Sequence, residues 1–159
     1  MSGTAQTSAD AASSFSANRN RILFLLIAVL SIAGVIVSAI SLQRHYAKST
    51  TSFCDFAEKF NCDIVNRSEY STLVGIPVAG IGVVGYGALL VLSTFLRLRR
   101  NTMNQLLGAA LAGLAFALYL TYIEGHVLDT WCILCLISLS LISAISLLAV
   151  AAKVRDARA

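Results

Sequence analysis

Apolar residues along this chain are gathered into four blocks rather than scattered at amphipathic spacing. They cover about 22–42, 74–96, 104–123 and 131–152. Each is close to the roughly 20 residues that an α-helix needs to cross a bilayer. A soluble domain of this size would show short periodic apolar groups separated by polar turns. The pattern therefore predicts an all-α membrane protein, a four-transmembrane-helix bundle with a long loop at 43–73. Residues 1–20 are rich in Ser, Ala and Thr without apolar period, and read as a disordered tail; 154–159 read as a second short tail. The first block is longer than the apolar part of a secretory signal, so an uncleaved helix is expected.

Inside the long loop, Phe53, Phe56 and Phe60 recur at helical spacing, which predicts a short amphipathic helix on the membrane surface. In the second block, Gly75-Ile76-Pro77 puts proline where a first helical turn accepts it. Gly80, Gly82, Gly85 and Gly87 give that helix a thin face, and Gly34 with Ser38 could mark a close contact on the first. Val84-Gly85-Tyr86-Gly87 resembles a potassium-filter sequence. It lies within a continuous apolar span with no pore helix around it, and Val83 stands where a filter has threonine.

Composition fits this picture: 57% of the 159 residues are hydrophobic and 13% charged. The net charge of +4 does not point to nucleic acid, because of where the charges fall. Arg19 and Arg21 precede the first block, Arg97, Arg99 and Arg100 follow the second, and Lys153, Arg155 and Arg158 follow the fourth. The 43–73 loop balances its charges, and the connection before the fourth block has neither Lys nor Arg. By the positive-inside rule both termini are cytoplasmic and both of those connections lie outside.

That topology puts all four cysteines on or near the outer face, where disulfides persist. Cys132 and Cys135 are three apart at the head of the fourth block, so that on a helix their sulfurs share a face. With Asp129 or Thr130 as N-cap, Cys132 would occupy the first turn, where the helix dipole favours a thiolate. Trp131 would sit at the headgroups. Cys54 and Cys62 are eight apart, about 12 Å on a straight helix, beyond the roughly 7 Å that a disulfide tolerates. A helix break near Asn61 and a bond that comes and goes are expected. Glu124, His126 and Asp129 occupy the short outer connection, and the first two are candidates for proton handling. The serines of the fourth block, Ser138, Ser140, Ser143 and Ser146, are expected to bond their own helix carbonyls.

Three functions compete. The first is a non-enzymatic membrane protein with a structural Cys54–Cys62 disulfide. The second is a zinc site, for which Cys-x7-Cys is a poor half; no metal is expected. The third is a relay that passes electrons by thiol–disulfide exchange from an external thiol protein to a lipid-soluble two-electron acceptor, a quinone. The structural disulfide leaves two cysteine pairs on one side of the membrane unexplained, and the relay accounts for them.

Four helices, a loop Cys-x7-Cys, a serine six residues on, and Cys-x-x-Cys opening the last helix together resemble the vitamin K epoxide reductase family. Asn61-Cys62-Asp63 followed by Gly75-Ile76-Pro77 resembles its bacterial branch. The resemblance implies a quinone (ubiquinone or menaquinone) held among four helices, with Cys135 next to it forming a charge-transfer or covalent adduct. It implies that Cys132 exchanges with a loop cysteine, Cys62 for preference, leaving Cys54 to meet the partner, and that Ser68 helps hold the loop. Leu120, Glu124 and Leu128 would line the quinone pocket. Leu139 and Val78 fall where the animal enzymes carry a tyrosine and an asparagine for vitamin K. Some bacterial relatives continue into a thioredoxin-like domain; here the sequence ends at Ala159, so a periplasmic thioredoxin-fold protein is expected in trans. The implied activity is a quinone-dependent thiol oxidase of the bacterial inner membrane; the alternative is an epoxide or quinone reductase.

Overall fold

The computed structural model describes residues 3–46, 62–73, 75–95 and 102–156. Its elements are α1 (Gly3–Tyr46), α2 (Cys62–Arg67), a 3-10 turn (Glu69–Ser71), β1 (Thr72–Leu73), β2 (Ile76–Pro77), α3 (Val78–Thr94), α4 (Thr102–His126) and α5 (Ile133–Asp156). Cys54 and the proposed surface helix around Phe53, Phe56 and Phe60 lie outside the described residues.

The chain is an all-α membrane protein. Arg21–Tyr46, Thr102–His126 and Ile133–Arg155 are long and apolar enough to cross a bilayer, whereas apolar α3 has 17 residues. Helix α1 shows why lipid must surround it. Ile27 is fully buried, yet Leu25, Val29 and Ile36 are more than half exposed, Val29 to 62%. An apolar surface all round is costly in water and favourable in a bilayer.

Helix α1 starts at Gly3, so the segment expected to be a disordered tail is continuous with the first span. The nucleus of a helix is the costly part. The span provides it, and Ala5, Ala9, Ala11, Ala12 and Ala17 are the residue type that extends a helix most readily.

Helix α1 packs on α3 and α5, and α4 on α5 and α3. The shared core is Ile27, Tyr86, Leu89, Leu106, Ala110, Ile142, Ile145 and Ala149. Small residues set the separations. Gly34 lies beneath the Tyr86 ring, which a Cβ there would overlap, and a Cβ on Gly82 would come 2.7 Å from Ser38 Oγ. Ser146 Oγ donates to Ile142 O of its own helix at 2.8 Å and to Ala110 O of α4 at 3.2 Å. Lys153 Nζ donates to Asn104 Oδ1 at 2.6 Å, tying the end of α5 to the start of α4.

The second block does not begin as a helix. Leu73 pairs with Ile76 and Thr72 with Pro77 in an antiparallel hairpin, closed by Gly75 at φ +81°. A two-residue hairpin loop needs positive φ, which glycine adopts without a Cβ penalty. Pro77 (φ −61°, ψ 130°) is therefore the N-cap of α3 and not part of its first turn.

Candidate functional site

The connection from α4 to α5 is a compact turn. Val127 and Leu128 donate their N–H groups to Ile123 O at 2.9 and 3.1 Å, and Thr130 N–H donates to Glu124 O at 3.2 Å. Asp129 takes a left-handed φ of 46°. The Trp131 indole lies over Gly125, where a Cβ would come within 3.1 Å of the ring. Helix α5 starts at Ile133, and its first bond runs from Leu136 N–H to Cys132 O at 3.1 Å. Cys132 thus stands just before the helix rather than in its first turn, and neither Asp129 nor Thr130 caps it. The Cys132 N–H instead donates to Glu124 Oε2 at 3.2 Å. A carboxylate from the preceding helix satisfies a donor that local sequence would have left to a neighbour.

Cys62, Cys132 and Cys135 lie together, the first two buried and the third partly so. Cys62, at the head of α2, and Cys132 are 1% and 0% exposed and share a cluster with Val65, against which Cys135 packs. Cys132 and Cys135 are both thiols. Cys132 is hydrogen-bonded to Cys135 and to Cys62. Its thiol is held well above the ordinary cysteine range, first because its proton is shared with Cys135 and further by burial, against the opposing hydrogen bond from Cys62. The expected thiolate at Cys132 is therefore corrected: burial and the shared proton outweigh the helix terminus.

Cys135 lines a cavity of about 390 Å³ bordered by α1, α3, α4, α5 and the α2–hairpin segment. Val78, Leu120, Glu124, Leu128 and Ser68 also line it. Leu139 does not; Ser138, one position earlier and about 100° round the helix, faces the cavity in its place. Ser68 Oγ donates to Val65 O at 2.8 Å, and Ser68 O accepts from Ser71 N–H at 3.0 Å, which joins α2 to the 3-10 turn. Glu124 is 2% exposed, whereas His126 is exposed and stacks on Tyr122.

Other groups in this wall had no signal in the sequence. Tyr86 Oη donates to Ser138 O at 2.8 Å, and the two hydroxyls lie 2.9 Å apart. Ser138 thus bonds across the bundle, whereas Ser140 and Ser143 bond carbonyls one turn back in α5. Asn66, though it opens an Asn-Arg-Ser triplet, is 7% exposed. Its Oδ1 accepts from Ser41 Oγ at 3.2 Å, its carbonyl accepts from His45 Nδ1, and its Nδ2 has no hydrogen-bond partner among the described residues. A pairing between helices so far apart in the chain leaves no local period to read.

The arrangement places a dithiol with one sulfur against the loop cysteine and the other against an apolar chamber with a few polar groups. The chain matches the model of the vitamin K epoxide reductase family over residues 25–151, and on that match it belongs to this family.

Proposed function

We propose that this protein is a quinone-dependent thiol oxidase of the bacterial inner membrane, a finer reading than the membrane redox chemistry common to its family. It takes electrons from a periplasmic thioredoxin-fold protein in trans and delivers them to ubiquinone or menaquinone. Four helices, α1, α3, α4 and α5, would cross the membrane, with both termini in the cytoplasm. One observation carries the reading: Cys135 opens onto the cavity while Cys132, hydrogen-bonded to it, stands with Cys62.

In this scheme the partner dithiol reduces a Cys54–Cys62 disulfide and leaves oxidised. Cys62 then attacks the Cys132–Cys135 disulfide at Cys132, and resolution by Cys54 returns the loop disulfide and a Cys132/Cys135 dithiol. That dithiol gives two electrons and two protons to the quinone. The cavity suits such a ligand. Its volume lies within the range of small-molecule sites, and its wall is mostly apolar with a few placed polar groups. Leu120, Leu128 and Val78 would hold the ring, with Asn66 Nδ2, unpartnered among the described residues, donating to a carbonyl oxygen.

Purified protein given reduced thioredoxin-fold partner and a short-chain quinone is expected to turn over both. Activity only with a vitamin K epoxide and dithiothreitol would establish the alternative reductase. If a thiol reagent after partial reduction labels the loop pair alone and never Cys132 or Cys135, the protein holds only a structural disulfide. In a strain deficient in disulfide formation the wild-type chain is expected to complement, and Cys135→Ala is not.

A further inference from the structure

Glu124 is a carboxyl group held almost entirely away from water, and its hydrogen-bond partners are Cys132 and Cys135, with no cation among them. Capping Cys132 N–H does not call for a titratable group, since any side-chain oxygen of the right reach would serve. A buried ionisable group in a membrane protein is expensive and marks function. Glu124 and Cys135 also line the same cavity, so the carboxyl borders both the sulfur and the space where an acceptor would sit.

We propose that Glu124 is a catalytic residue that carries protons from the Cys132/Cys135 dithiol to the acceptor in the cavity, an inference that rests on the quinone reading above. Closing the Cys132–Cys135 disulfide releases two electrons and two protons, and reducing a quinone to a quinol takes up two of each. As a carboxylate, Glu124 takes the proton of the Cys135 thiol; as the acid, it returns that proton to the nearer quinone oxygen. The Cys132 proton, shared with Cys135, follows by the same route, and Glu124 ends as it began. This supplies what the burial of the dithiol withholds. Cys132 keeps its proton well beyond the ordinary cysteine range, and no bulk water reaches it to take that proton away.

The test is a single turnover of dithiothreitol-reduced full-length protein in detergent, mixed with a short-chain benzoquinone. Quinol formation is followed by absorbance, beside alkylation of Cys135 by a small maleimide. Glu124→Gln keeps an oxygen for Cys132 N–H but cannot carry a proton. It is expected to slow quinol formation at saturating quinone about a hundredfold, the size of a general acid–base contribution. Quinone affinity should hold, and so should alkylation, because maleimide addition delivers no proton to a quinone. Glu124→Asp should recover part of the rate. Equal rates in Glu124→Gln and wild type would overturn the proposal, as would a parallel fall in quinol formation and alkylation, the sign of a merely structural role. Wild-type protein that leaves the quinone unreduced would overturn the proposed function and this inference with it.

Discussion

The two cysteines of Cys-x-x-Cys are three positions apart and differ in what each faces. Cys132 precedes α5 and lies with Cys62, whereas Cys135 is inside the helix and borders the cavity. Removing Cys135 should therefore stop electron flow without disturbing the inner exchange. Peptide mapping of oxidised Cys135→Ala is expected to find a Cys62–Cys132 disulfide. Because the Cys132 thiol is held above its ordinary value in the fold, the unfolded chain gives up its proton first as pH rises. The stability that this proton adds to the reduced protein is complete below roughly pH 8.5 and fades above it, by about 1.4 kcal/mol per pH unit. The difference in thermal midpoint between reduced wild type and Cys132→Ala should shrink between about pH 7.5 and pH 9.5. Asn66→Ala removes a buried donor that is unpartnered among the described residues and is expected to raise KM for quinone by roughly tenfold, the worth of a hydrogen bond, with kcat little changed. The cysteine spacing and Glu124 were legible because chemistry of that kind is written locally. Tyr86–Ser138 and the Ser41–His45–Asn66 group were not, because each joins helices far apart in the sequence.

Among the elements, the apolar blocks located the end of α1 at Tyr46, the end of α4 at His126 and the start of α5 at Ile133 to within a few residues, since length and hydropathy decide a membrane span. The start of α3 was misjudged. Apolar Ile76 and Pro77 read equally well as helix, and a positive φ at Gly75 is a tertiary outcome that composition does not announce. Gly34 carries a sharper lesson. Its small-residue spacing pointed to a close contact, and it makes room for the Tyr86 ring whose hydroxyl reaches Ser138. Gly34→Ala is expected to cost about 1–3 kcal/mol by overpacking, read as a lower thermal midpoint. Gly108→Ala, with nothing within 4 Å of its would-be Cβ, should leave the midpoint unchanged or raise it.

For the whole molecule, the relay requires the α2–hairpin segment and the α4–α5 turn on one side of the membrane. The contact between Cys62 and Cys132 places them together in the fold. Alkaline phosphatase fused after Ser71 or after Asp129 is expected to be active outside the cytoplasm, and fused after Lys153 to be inactive. Helix α3 adds a demand of its own. Its 17 residues rise about 26 Å, against a hydrocarbon thickness of about 30 Å. As the fourth span of the proposed topology, such a helix would dimple the lipid around it or draw its flanking hairpin inward, at a cost that grows with each ångström of shortfall. Bilayer thickness thereby becomes a control on how well the loop sulfur docks: vesicles of progressively longer acyl chains should strain that docking and progressively slow the enzyme.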